Sequence, residues 1–175
     1  MSLYNLLSQK KSDILERWRE VLFDGYAPET ARFLKSQKDR FANPIAYQLT
    51  RGLSGIIEVF LQGAETDKVM AQLDEVIKLK AIQEAPPSQA MAFIFILKTI
   101  IREELAQELQ DPACAAEFVD LESRLDGLAL LGFDVYMQRR EKLCDVKVGE
   151  IKRKVSTLLR RLGLGDDYLE EQSGG

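Results

Sequence analysis

Residues 88–109 read SQAMAFIFILKTIIREELAQEL, and the fold turns on how this stretch is read. From Met91 to Leu97 it is apolar on nearly every side. A helix of that kind is enclosed by other helices. Periodicity alone also permits a buried strand. Ile100, Ile101, Leu105 and Leu109 carry the pattern well past the length of a typical strand. The stretch therefore predicts a helix over 88–109 running through the centre of an all-α bundle. It also predicts Phe95 in the core, where an aspartate would bury an unpaired charge.

Helical spacing continues upstream. Ala85-Pro86-Pro87-Ser88 is punctuation. Before it, Thr66 or Asp67 is a candidate cap for a helix with the stripe Met70, Leu73, Val76 or Ile77, and Leu79 or Lys80. Asn43-Pro44 reads as an N-cap followed by proline at the first helical position. From there Ile45, Leu49, Leu53, Ile56 and Phe60 step along one face, and Gly63 is the expected stop. Residues 3–24 predict a first helix carrying Leu7, Ile14, Trp18 and Leu22, broken at residues 24–28 and followed by a short helix over 29–36.

Downstream, Asp111-Pro112 ends one element and starts a long helix over 113–162. Its first stripe is Phe118, Leu121, Leu125, Leu128 and Val135. Its second is Val148, Ile151, Val155, Leu158 and Leu162, which alternates three and four and so has the coiled-coil period. Gly149 loosens it, and Gly163-Leu164-Gly165 stops it. The expected organisation is a single-domain helical bundle over 1–145, a coiled-coil-like amphipathic helix over 146–163 and a frayed acidic tail over 164–175.

Composition narrows the function. The chain has 175 residues, 46% hydrophobic and 30% charged, which suits one soluble globular domain with a real core. A net charge of −4 argues against whole-surface attraction to nucleic acid. There is no histidine, which excludes a Ser-His-Asp triad, a His-ligated zinc or haem and a phospho-accepting histidine. Cys114 and Cys144 form no Cys-x-x-Cys, so they read as two reduced thiols. No secretory leader and no membrane-spanning run is read, so the expected location is the cytoplasm.

Candidate chemistry is sparse. Glu103-Glu104, Asp166-Asp167 and Glu170-Glu171 are adjacent pairs, which point apart on a helix and do not converge for acid–base work. Gly52-Leu53-Ser54-Gly55 lacks the strand and the Lys-Ser/Thr of a phosphate loop, so close helix packing is its simpler reading. Trp18, Tyr47, Phe60, Phe93 and Phe95 are candidate ligand-cavity residues, with Lys98 and Arg102 as anion-binding groups at its mouth. Core packing and lysine or arginine snorkelling are the plainer readings. A basic cluster, Lys147, Lys152, Arg153, Lys154, Arg160 and Arg161, is interrupted by Glu150. The apolar seam beside it fits a partner helix better than nucleic acid or a membrane surface.

Residues 73–105, LDEVIKLKAIQEAPPSQAMAFIFILKTIIREEL, resemble the amino-terminal domain of RsbR-type regulators, the RsbRD N-terminal domain family. The matching features are Leu79-Lys80-Ala81, the Pro87-Ser88-Gln89-Ala90 turn, Phe93 to Leu97, Lys98 and Ile101-Arg102, and the opening Ile14-Leu15-Glu16-Arg17-Trp18. The resemblance covers residues 1–140. It implies a sensory module of the kind found upstream of stressosome output domains or histidine-kinase cores, with a globin-like fold that holds no haem. The expectation is that no output domain follows residue 162 and that signalling passes through a separate output protein.

The function expected is a non-catalytic sensory or regulatory protein acting through protein–protein contact. It would be a homodimer through Val148, Ile151, Val155, Leu158 and Leu162, without cofactor or metal. The alternatives are a binding module for a small apolar or anionic ligand and, for the last helix, folding back on its own domain. If the thiols are structural bystanders, replacing Cys114 and Cys144 together with serine should leave the far-ultraviolet circular dichroism spectrum and the oligomeric state unchanged. A change in either would give the thiols a role.

Overall fold

The computed structural model describes residues 2–36, 41–61, 66–83 and 85–163, with the side chains of residues 66 and 67 outside it. Among the described residues there are seven α-helices and no strand: α1 (Leu3–Gln9), α2 (Lys11–Asp24), α3 (Pro28–Ser36), α4 (Pro44–Leu61), α5 (Thr66–Ile82), α6 (Pro87–Glu104) and α7 (Pro112–Arg161). A 3-10 turn, Glu108–Gln110, lies between the last two. The chain divides into two compact units, residues 1–137 and 138–175.

Within residues 1–137, α4 packs most extensively on α5, and α2 on α6. The second pairing centres on Trp18, which is fully buried. Its ring stacks on Phe93 with centroids 5.9 Å apart, and its Nε1–H donates to the Phe93 carbonyl oxygen at 2.7 Å. The indole thus buries its apolar body and satisfies its one donor in the same place. Arg17, beside it, pairs with both Glu103 and Glu104 at the end of α6. Its hydrogen bond to Glu104 raises the guanidinium pKa further. These contacts set α2 antiparallel to α6.

The expected first helix over 3–24 is two helices, because Lys10 leaves helical geometry (φ −92°, ψ 9°). Lys10 then donates from Nζ to the Glu104 carbonyl at the C-terminal end of α6 and pairs with Glu108 at 3.0 Å. A cation at orphan helix carbonyls is favoured by their partial negative charge. Likewise the helix expected over 88–109 stops at Glu104, and Leu109 falls in the 3-10 turn, half-buried.

Asn43 caps α4 as its sequence suggested. It is fully buried, accepts from the Ala46 N–H at 3.1 Å and donates from Nδ2 to the Phe33 carbonyl at 2.9 Å. Pro44 follows as the first residue of the helix. The stripe behind it is Ala46, Leu49, Leu53, Ile56 and Phe60, with Ile45 turned to solvent. On α5 the buried row is Val69, Leu73, Val76, Ile77, Lys80 and Ala81, so Met70 and Leu79 lie at its edge. On α7 Phe118, Leu121, Leu125 and Leu128 are buried, and Tyr136 takes the place expected for Val135, donating from its hydroxyl to the Ala85 carbonyl. The caps expected of Thr66 or Asp67, the stops at Gly63 and Gly165, and the tail over 164–175 lie outside the described residues or side chains.

Phe95 is the main correction. It is 49% exposed, so α6 is not enclosed all round. Ala90, Met91, Phe93, Ile94, Leu97, Ile100 and Ile101 are buried, whereas Ala92 and Ile96 are half-buried beside Phe95. The bundle covers most of the α6 circumference and leaves one stripe open.

Gly52 and Gly55 let α4 and α5 approach closely. A Cβ on Gly52 would sit 2.5 Å from Val76 Cγ2, and one on Gly55 would meet the end of the Gln72 side chain. Val76 is branched next to its backbone and fully buried, so it has nowhere to move. Gln72 is half-buried and flexible. Gly52→Ala should therefore destabilise by about 1–2 kcal/mol despite its better helix propensity. Gly55→Ala should stay within about 1 kcal/mol of the wild type. Urea unfolding checks both, and a Val76→Ala background should shrink the Gly52→Ala penalty.

Candidate functional site

The open stripe of α6 faces α7 within residues 1–137. Ala92, Phe95, Ile96 and Thr99 recur at three and four on α6, which places them on one side of that helix. Opposite them, Ala129, Leu130 and Phe133 line the α7 wall. Between the two lies a groove of about 900 Å³ with almost wholly apolar walls. Leu130 is 72% exposed and Phe133 43%, so large side chains stand open to water along it. An apolar stretch of this kind on a protein surface marks a place of association.

The rim of the groove is ionic. Lys98 pairs with Asp126 at 2.8 Å, and one turn on Arg102 pairs with Glu122 and lies over the Phe118 ring, 5.5 Å from its centroid. Both bridges join α6 to α7 and hold the groove walls in register. The Lys98 bridge also uses the only carboxylate that lines the groove among the described residues, Asp126. What is left is Ser88, Thr99 and apolar surface, which can bind an apolar partner but supplies no converging acid and base.

The residues singled out for a ligand cavity do not all come together, and Phe95 lies on the wall of the groove instead. Trp18 and Phe93 come together and fill the core. Phe60 is buried elsewhere, with the Arg124 guanidinium 4.6 Å above its ring. Tyr47 is half-exposed, beside a separate cleft with Phe23 and Leu34. Lys98 and Arg102 are engaged with carboxylates of α7 as described. The sequence reading missed the groove because a continuous apolar run has no polar face to betray which side is open. Leu130 and Phe133, which fall off the main α7 stripe, were the available signal.

Within residues 138–175, Val148, Ile151, Val155, Leu158 and Leu162 are all exposed, from 46% at Val155 to 71% at Leu162. Both thiols are free. Cys114 is buried and its pKa is pushed up by that burial, while Cys144 is exposed. No helix of the described residues is long and apolar enough to cross a membrane.

Residues 12–146 match the family model of the RsbT co-antagonist protein rsbRD N-terminal domain, and the match identifies no catalytic domain. No curated protein and no solved structure matches the chain.

The difference between the two sides of α6 is directly testable. Phe93→Asp should abolish cooperative unfolding, because it puts a charge against Trp18 in the core. Phe95→Asp should keep the fold, with a stability change within about 1 kcal/mol. Thermal melts followed by circular dichroism decide it: equal loss in both variants would mean that Phe95 is buried after all.

Proposed function

This chain belongs to the RsbRD N-terminal domain family, and from that premise we propose that it is a non-catalytic sensory or regulatory protein that signals through protein–protein contact. The observation that carries the reading is the regular row of exposed apolar side chains from Val148 to Leu162. Five such residues at alternating steps of three and four are costly to leave in water and match the seam of a paired helix. A globin-like arrangement without haem is part of the same reading and rests on the family resemblance alone. So does contact with an output protein. Free thiols and a chain without histidine fit a cytoplasmic protein that is not an enzyme.

The partner on the seam is a second copy of the chain. With Val148, Val155 and Leu162 at the a positions, Ile151 and Leu158 fall at d. Valine at a suits a parallel pair, though isoleucine at d is less typical of one. Two heptads are fewer than the three or four that usually sustain a coiled coil. Association therefore draws on further apolar area beyond the seam. Residues 146–163 would then act as a coupling helix, because a paired helix transmits rotation or register shift, which is what a sensory domain must hand on.

A second reading, a small-molecule binding module, is favoured by a cavity of mixed polarity among α2, α5 and α6 that contains a buried lysine.

Sedimentation equilibrium tests the first reading. The wild type should be a dimer, and Val155→Glu with Leu158→Glu should make it a monomer while far-ultraviolet circular dichroism keeps most of the helix signal. A monomeric wild type ends the homodimer, and a double variant that stays dimeric moves the interface off the seam.

A further inference from the structure

Asn43 and Lys80 are the fully or nearly fully buried polar side chains among the described residues. Asn43 is explained by its cap. Lys80 caps no helix and joins none of the interhelical salt bridges among the described residues. It is 7% exposed, and it lines a cavity of about 650 Å³ between α2, α5 and α6. Its Nζ donates to the Tyr26 hydroxyl at 2.9 Å and lies 4.4 Å from the centre of the Tyr26 ring. Tyr26 in turn donates its own proton to Gln83 Oε1 at 2.9 Å, which leaves the phenol oxygen as an acceptor for the ammonium.

No carboxylate among the described residues pairs with Lys80. Glu84, the next acidic residue in sequence, lies outside them. Lys10, Arg17, Lys35, Lys98 and Arg102 are all more exposed, and each has a carboxylate partner. Among the described residues this buried ammonium is held by one phenol and a ring face alone, with donors to spare and no countercharge, a costly arrangement in a folded protein. Burial accordingly lowers the Lys80 pKa to about 8. At neutral pH the group is still mostly cationic and would gain from an anion.

The cavity says what kind of anion. Its walls include Val21, Leu22, Ala92, Phe93 and Ile96, and its other polar groups are the neutral Tyr26 and the amides of Gln83 and Gln89. No arginine lines it, and Lys80 is its one cation among the described residues. Phosphate recognition usually brings several donors or an arginine fork. One ammonium, two amides and apolar walls fit a single negative charge on an apolar body.

We propose that the α2–α5–α6 cavity binds a small organic carboxylate, with the Lys80 ammonium, steadied by Tyr26, on the carboxylate and the Val21–Phe93–Ile96 walls on its hydrocarbon part. The proposal names the ligand class and the anchor of the small-molecule reading and rests on that reading; the dimer reading is independent of it. The site is separate from the α6–α7 groove, although Ala92 and Ile96 line both.

The test is isothermal titration of the full chain with sodium acetate, sodium hexanoate, hexanamide and inorganic phosphate. Hexanoate should bind, acetate and hexanamide should bind at least about tenfold more weakly, a loss of about 1.4 kcal/mol, and phosphate should not compete. Lys80→Met should lose hexanoate by a similar factor without melting lower than the wild type, since it removes an uncompensated buried charge. Val21→Phe, at a half-exposed wall position, should block hexanoate independently should Lys80→Met misfold. The proposal is overturned if hexanoate does not bind, if hexanamide binds equally, if phosphate binds in its place, or if either folded variant binds hexanoate as the wild type does. Native mass spectrometry of the purified protein keeps the broader reading separate: a co-purifying uncharged molecule sustains a ligand module and sinks the carboxylate.

Discussion

Trp18 touches Phe93 twice, once with its ring and once through its N–H on the backbone carbonyl. The side-chain contact could be traded for another apolar pair at modest cost, but the hydrogen bond fixes where α2 lies along α6. From that register follow the Arg17 bridges to Glu103 and Glu104 and the Lys10 contact with the end of α6. Because α2 is thereby locked antiparallel along the inner side of α6, the outer side remains for α7, and the groove with Phe95 on its wall is the space left between them. Loss of the indole donor would orphan a register as well as a contact.

Phe93 has a second duty. It forms part of the wall of the Lys80 cavity while it carries the Trp18 stack. Ala92 and Ile96 on the same helix line both that cavity and the α6–α7 groove. One helix thus separates a mixed-polarity pocket from an open apolar surface, with two side chains common to both. Packed interiors do not deform smoothly, so anything that shifts α6 on one side is felt on the other. A helix in that position is a physical basis for coupling an internal event to an external contact.

Much of this was legible in the sequence, and the exceptions have physical causes. Asn43-Pro44 announced its cap because the chemistry is local and involves only neighbouring residues. The glycines at 52 and 55 announced a close approach because they stand in an otherwise apolar helical stripe. The order of elements followed from apolar spacing. The break at Lys10 was hidden because Leu7 and Ile14 fit one continuous stripe; what ends α1 is a tertiary contact with α6. Phe95 was misjudged because a run apolar on all sides carries no information about which side is covered. Lys80 was visible as an alternative to Leu79 in the α5 stripe and as part of the Leu79-Lys80-Ala81 match. A lysine in register with Leu73, Val76 and Ile77 is a core position occupied by a charge, and only the structure shows what surrounds it.

Asn43 has one more consequence, for the chemical ageing of the protein. Asparagine side chains deamidate when the next residue's backbone nitrogen attacks the side-chain carbonyl to close a five-membered ring. At this position the next residue is proline, whose nitrogen carries no hydrogen to lose. The Asn43 amide is also held at both ends, by Ala46 and by the Phe33 carbonyl. The residue that starts α4 and ties it to α3 is therefore protected from the commonest spontaneous decay of its kind, and the joint between those two helices should outlast the asparagine's more exposed counterparts in other chains.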